Sequence, residues 1–263
     1  MKPTCIKYTN TYVYNFQICG FPRLSGAGYP TIKINYIRMK QRTIFMILSC
    51  IILSSCTATK LLTSNVQPSE VTDIKLLEPY SYISMIKKGN RGELDDSISA
   101  ISKQLNINVI KSFDEQIPIT GDIFLTDSAI NITLEKEYEE LILTADRNKN
   151  ITNLRITPAL DKILEANDTR FGLIIISAGF TRIKGNYGKE ILKGAALGIL
   201  TLGMYYQTPI KAYSTIYAMI VDSKEDNVAF YRKSYKQDME PLDQAVLTNQ
   251  YKKIFEGYFW TKK

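Results

Sequence analysis

The ten residues Phe171–Phe180, FGLIIISAGF, carry no charge and run three isoleucines together. A strand of this composition presents apolar side chains on both faces. It therefore belongs in the middle of a sheet that is covered on both sides. Two further strand-like runs, YSTIYAMIV from Tyr213 and NVAFYRKSY from Asn227, are joined by the polar turn Asp222–Asp226 and should pair as a hairpin. YSYISMIK, Tyr80–Lys87, reads as another strand, closed by Gly89-Asn90. Between them the period changes to that of a helix. Leu94, Ile98, Ile101 and Leu105 are helically spaced, with Asp95 and Asp96 in the first turn, where the helix dipole favours acids. A loop-rich stretch with short strands should cover about 107–126. Leu134, Tyr138, Leu141, Ile142 and Ala145 mark an amphipathic helix. Thr157-Pro158 supplies a cap and an N1 proline for the next one, buried through Leu160, Ile163 and Leu164. Pro241 should open a last helix, with Leu247, Tyr251, Ile254, Phe255 and Tyr258 on one side. The expected fold class is α/β, in the form of an α+β sandwich: a mixed sheet of about four or five strands flanked by helices, in a single domain.

A second feature lies upstream. Thr43–Leu53 is an apolar run of 11 residues, which as a helix would be roughly 17 Å long. A bilayer core of about 30 Å needs about 20 apolar residues, so this run is too short to span one. It suits the apolar core of a secretory signal, behind the basic stretch Met39-Lys40-Gln41-Arg42. It ends in Leu53-Ser54-Ser55-Cys56. That sequence resembles the lipobox of bacterial lipoproteins: an aliphatic residue, two small ones, then a cysteine that receives lipid once the chain is cut before it. The resemblance implies a thioether-linked diacylglycerol on Cys56, with palmitate-type acyl chains. Cys50 is a poorer acceptor, having too little apolar chain before it. Residues 1–38 precede the basic stretch, and an over-extended start with Met39 as initiator accounts for them. A structured N-terminal extension is the alternative.

The expected organisation is thus 1–38 upstream, 39–55 signal peptide, 56–70 a polar tether, CTATKLLTSNVQPSE, and 71–263 one domain. The partition changes the reading of charge. The chain carries +7, yet seven of its 33 basic residues precede Cys56 and none of its 26 acids does. From Cys56 onward the chain is formally neutral and offers no electrostatic footprint for nucleic acid. Three of the four cysteines, Cys5, Cys19 and Cys50, leave with the leader, and lipid blocks the fourth. A thiol-free domain suits an oxidising compartment and must rest on its core alone.

From about Thr157 to Phe259 the order helix, central strand, crossover, hairpin and C-terminal helix resembles the α/β domains of certain envelope lipoproteins. These are the curli-secretion lipoprotein and the lipoprotein activators of penicillin-binding proteins. The resemblance is carried by FGLIIISAGFTR, by the glycine-rich GNYGKEILKGAALGILTLG, and by YAMIVDSKEDNVAFYRK. It implies a diderm cell envelope and a domain that works by contact. Thr57, rather than Asp, follows the cysteine, which favours the outer membrane, facing the periplasm.

Catalytic chemistry is narrowed by the absence of histidine from the chain. That removes Ser-His-Asp and Cys-His machinery and His-ligated zinc. GNYGKE, Gly185–Glu190, fails as a phosphate loop, because Ile183 stands where the first glycine belongs and Glu190 where the Ser or Thr would bind magnesium. EKEYEE, Glu135–Glu140, spreads its acids around a helix as a solvated face does. No metal and no cofactor is expected, and the chain reads as a non-enzyme. The candidate contact surface is Ile191–Tyr206, ILKGAALGILTLGMYY, where Gly194 and Gly198 stand at small-xxx-small spacing. It is either a buried crossing between strands or an exposed apolar contact for self-assembly or for a bilayer. Tyr213 and Tyr217 share one strand face, as do Tyr231 and Tyr235, and these rings either pack on the helices or form a peptide- or glycan-contacting surface. The leading function is a membrane-anchored binding or assembly module whose partner is an envelope protein or a second copy. The alternatives are a subunit of an oligomeric export or secretion pore, and a carboxylate-based hydrolase.

Overall fold

The computed structural model describes residues 61–261 apart from 126, 149, 203, 206 and 207. Leu53, Ser54, Ser55 and Cys56, with the whole leader and the start of the tether, lie outside the described residues. In chain order the elements are β1 (Leu62–Thr63), β2 (Ile74–Leu77), β3 (Tyr80–Ile86), β4 (Glu93–Leu94), α1 (Asp96–Lys111), β5 (Ile119–Ile123), α2 (Ser128–Asn148), α3 (Pro158–Ala166), β6 (Phe171–Arg182), α4 (Asn186–Leu200), β7 (Tyr213–Asp222), β8 (Asn227–Gln237) and α5 (Gln244–Phe255).

β6 is the spine. It pairs antiparallel with β7 from Phe171↔Asp222 to Phe180↔Tyr213. Along its other edge it pairs in parallel with β2, then with β3 as far as Ile86↔Arg182. The pairing slips by one residue between β2 and β3, where Pro79 has no N–H to give the ladder. The expected hairpin is β7–β8. The sheet has eight strands rather than four or five, because short members sit at its margins: β1 outside β8, β4 outside β3, and β5 beside β2. The run Phe171–Phe180 requires a strand with neighbours on both edges, and β6 has them.

Both faces of β6 are covered. One side packs Leu173, Ile175, Ile216, Ile220 and Phe230 beneath Ile110 of α1 and Tyr251 and Phe255 of α5. The other packs Ile174, Ile176, Met219 and Val221 beneath α2 and α3. Each fully buried aliphatic or aromatic side chain contributes about 1.5–3 kcal/mol. The five buried residues of α2 are the expected Leu134, Tyr138, Leu141, Ile142 and Ala145. Thr157 caps α3, its hydroxyl accepting from the Leu160 amide at 3.3 Å.

α1 departs from expectation. Leu94 and Ile101 of the expected stripe are exposed, and up to Asn106 the buried residues of the helix are Ser99, Ser102 and Asn106. These groups are fully bonded. Ser99 Oγ accepts from the Ile83 amide at 3.0 Å, and Asn106 Nδ2 donates to the Ser102 carbonyl at 2.8 Å and to Ser177 Oγ at 3.2 Å. The Tyr251 hydroxyl donates to Asn106 Oδ1 at 2.8 Å. Apolar periodicity is blind to an inward face held by hydrogen bonds. α1 also runs on to Lys111, into the stretch expected as loop. α5 begins at Gln244, after Pro241, with Asp243 as its cap.

The described part of the tether, Leu61–Glu70, does not hang free. Leu62 pairs with Tyr231, and Leu62 and Val66 are buried. The chain joins the sheet nine residues before the expected domain start at 71.

Candidate contact surface

The site lies where β6 hands the chain to α4. Gly185 makes the turn at φ +84°, a conformation open to glycine at little cost, and α4 starts at the next residue. Arg182, the last residue of β6, ties the junction together. Its Nε donates to the Ile210 carbonyl at 2.9 Å, its Nη1 to the Gly89 carbonyl at 2.9 Å and to Asn186 Oδ1 at 2.7 Å, and its Nη2 to Asn90 Oδ1 at 2.9 Å. All four acceptors are neutral oxygens. The guanidinium lies 5.5 Å above the Phe180 ring, and burial draws its pKa below the usual arginine value against the pull of Glu190. Three separate segments are thereby fixed to the foot of α4. Around them is a cleft of about 390 Å³, lined by Ser84, Asn90, Phe180, Arg182, Ile210 and Tyr213 among others, none of them acidic.

Beyond this foot one side of α4 is open to solvent. Its apolar side chains face solvent. Leu192 is 72 % exposed, Ile199 78 % and Leu200 79 %, and past the helix end Leu202 is 91 % and Met204 86 % exposed. The buried-crossing reading of Ile191–Tyr206 does not fit those exposures. Gly194 is buried and Gly198 half-buried, so the small-residue stripe faces inward. The side turned outward is Leu192, Ala196, Ile199 and Leu200. Lys193 bonds Glu190 at 2.6 Å on the same helix.

The tyrosines divide between the two roles. Tyr231 is buried under α2, its hydroxyl 3.3 Å from Asp146, and Tyr217 packs on the same core. Tyr213 and Tyr235 lie further toward α4. Phe180 and Tyr213 meet edge to face at 4.8 Å, and Tyr213 is 5.8 Å from Tyr235, which is exposed. Burial raises the pKa of both Tyr213 and Tyr217, with Asp146 adding to the effect at Tyr217. Phe180, Tyr213 and Tyr235 therefore form an aromatic strip beside the cleft and α4.

Sequence reasoning missed Arg182 and its cleft. The available signal was a charge placed two residues after the apolar run Phe171–Phe180. Among the described residues, no group of three or more carboxylate or thiol side chains is gathered as a metal site would need, and no helix is long and apolar enough to cross a membrane.

Searches of protein families and of curated proteins return no match. Among solved structures the chain is similar to the PelC dodecamer from Paraburkholderia phytofirmans, with a TM-score of 0.36 and 7 % identity over 77 % of this chain and 97 % of that one. A single-substitution variant of the same dodecamer gives 0.37 and 7 %, over 78 % and 99 %. Overlap at that level leaves the function of this chain to be read from its own residues.

Proposed function

We propose that this is an envelope lipoprotein, tethered through lipid on Cys56, whose α/β domain is non-catalytic and acts by contact through the α4 end of the sheet. The observation that carries the contact role is the set of solvated apolar side chains Leu192, Leu197, Ile199 and Leu200 on α4, continued past its end by Leu202 and Met204. Monomeric soluble proteins seldom expose such a contiguous patch unless something covers it. The aromatic strip Phe180–Tyr213–Tyr235 extends the same surface. The lipobox Leu53-Ser54-Ser55-Cys56 supports the anchor, and two or more acyl chains on Cys56 make release from the bilayer negligible. Thr57 supports the outer membrane, facing the periplasm. The neutral, histidine-free chain after Cys56 supports binding over nucleic-acid recognition or catalysis.

The test is a photo-crosslinking residue placed in turn at Ile199, Tyr235 and Lys224 in the full chain in its native membranes. Lys224 lies in the β7–β8 turn, at the opposite end of the sheet. Discrete adducts to protein or lipid at Ile199 or Tyr235, and none at Lys224, are expected. Adducts equally at all three, or at none, would sink the contact role.

A further inference from the structure

We propose that the end of α4 and the described residues just past it, Leu197, Ile199, Leu200, Leu202, Met204 and Tyr205, form a second membrane contact, seated in the headgroup–acyl boundary of the bilayer that holds the lipid. The proposal rests on the anchor at Cys56. Its occupant is a phospholipid surface rather than a second copy, and three observations point that way.

Charge is confined to the near half of the helix: no charged residue lies between Lys193 and Lys211. Lys189 and Lys193 sit in the half nearer the foot, while Leu197, Ile199 and Leu200 lead into Leu202, Met204 and Tyr205 at the far end. From Lys193 to Leu200 the helix rises roughly 10 Å at about 1.5 Å per residue. Interfacial helices bury their apolar part by about 5–10 Å, so the lysines come level with the phosphates when the leucines reach the acyl boundary. Two copies meeting at this segment would set Lys184, Lys189 and Lys193 of each against those of the other, with the single acid Glu190 on each side.

Charge is concentrated here. Between Ile183 and Lys211 there are four lysines, Lys184, Lys189, Lys193 and Lys211, against the single acid Glu190. The chain after Cys56 is neutral as a whole, so this segment, at net +3, is locally basic and suits anionic headgroups.

Reach is sufficient. Six residues separate Cys56 from Leu62, at most about 20 Å of extended chain. Leu62 pairs with Tyr231, and six residues further along β8, about 20 Å, is Gln237, opposite Tyr213 at the foot of α4. A membrane that holds the lipid lies close enough to meet α4.

The experiment is depth-dependent quenching. The full lipidated chain carrying Trp260→Phe and Leu202→Trp is placed in vesicles of phosphatidylethanolamine and phosphatidylglycerol, with or without bromine on the acyl chains. The expected result is blue-shifted emission, quenched severalfold by the bromolipid. Blue-shifted emission that bromolipid leaves unchanged, with crosslinks between copies, would assign the surface to self-association and overturn the proposal. Water-like, unquenched emission would overturn it as well. A lipid-free chain starting at Thr57 separates this claim from the anchor. It should bind anionic vesicles and lose about 10-fold or more of that binding with Leu200→Glu and Leu202→Glu, the equivalent of about 1.4 kcal/mol. Circular dichroism confirms that the variant is folded. If that chain binds and Cys56 proves to be unlipidated, only the anchor fails; if Cys56 is lipidated and the chain does not bind, only the α4 contact fails.

Discussion

Replacing Gly179 by alanine tests the central pairing of the fold at one atom. Gly179 lies in β6 opposite Ser214 of β7. A Cβ at this position would stand 2.3 Å from the Tyr213 carbonyl oxygen and 3.2 Å from Cβ of Pro241. The oxygen belongs to the neighbouring strand of the ladder, so it cannot move without opening the β6–β7 pairing. Gly172, seven residues earlier on the same strand, is the control. There the new Cβ would meet Cδ2 of Leu164 and Cδ1 of Leu77, both at 2.9 Å. These are the far ends of flexible side chains and can rotate away. Overpacking costs about 1–3 kcal/mol, and the backbone clash places Gly179→Ala at or above the top of that range, with Gly172→Ala near its bottom. In a domain of this size 1 kcal/mol is worth about 2–4 °C, so Gly179→Ala should lower Tm by about 6–12 °C and Gly172→Ala by about 2–4 °C. Urea unfolding of a lipid-free form, followed by circular dichroism, should show the same order in the midpoints with m unchanged. If Gly179→Ala were no more costly than Gly172→Ala, the close approach of β6 and β7 would be wrong.

Other consequences stem from the buried polar groups. Tyr251→Phe strands Asn106 Oδ1 in the core and should cost about 1–3 kcal/mol, whereas pairing it with Asn106→Leu should cost less than the sum of the single changes, as a double-mutant cycle would show. Arg170 holds the fully buried carboxylate of Asp222 through two bonds of 2.9 and 2.7 Å, so Arg170→Met should lose about 3–5 kcal/mol in chemical denaturation. Burial raises the pKa of Tyr138 and Tyr251 well above the ordinary value near 10. Above about pH 10 the unfolded chain gives up protons that the folded chain retains, so stability should be level below that pH and fall steadily above it in an alkaline titration. Arg182→Ala frees the segments at the foot of α4, and should speed amide exchange through Asn186–Leu200 while leaving β6 and β7 protected.

Much of the sheet was legible because its signals are local. Phe171–Phe180 is apolar on both faces, and the β7–β8 turn is a polar interruption between two β-rich runs. The five buried positions of α2 follow one helical stripe, and Thr157 with Pro158 marks a helix start. Other elements gave no such signal. β5 reads ITGDI, with a glycine and an acid in five residues, and is a strand only because β2 lies beside it. Leu62 is buried because β8 offers it an edge, which a Thr- and Ser-rich context does not announce. The inward face of α1 is polar because Ser177 and Tyr251, far apart in sequence, converge on Asn106. Arg182 was illegible for the same reason: its acceptors are two backbone carbonyls and two amides, drawn from both sides of the chain. For α4, composition showed an apolar segment with inward-capable glycines, but which side faced outward depended on the foot built by Arg182.

Intact-mass analysis of the protein extracted from native membranes addresses the account most directly. A chain that begins at Cys56 and carries a diacylglycerol thioether with its acyl chains is the predicted species. A polypeptide retaining residues upstream of Cys56, with the Cys56 thiol free, would contradict it.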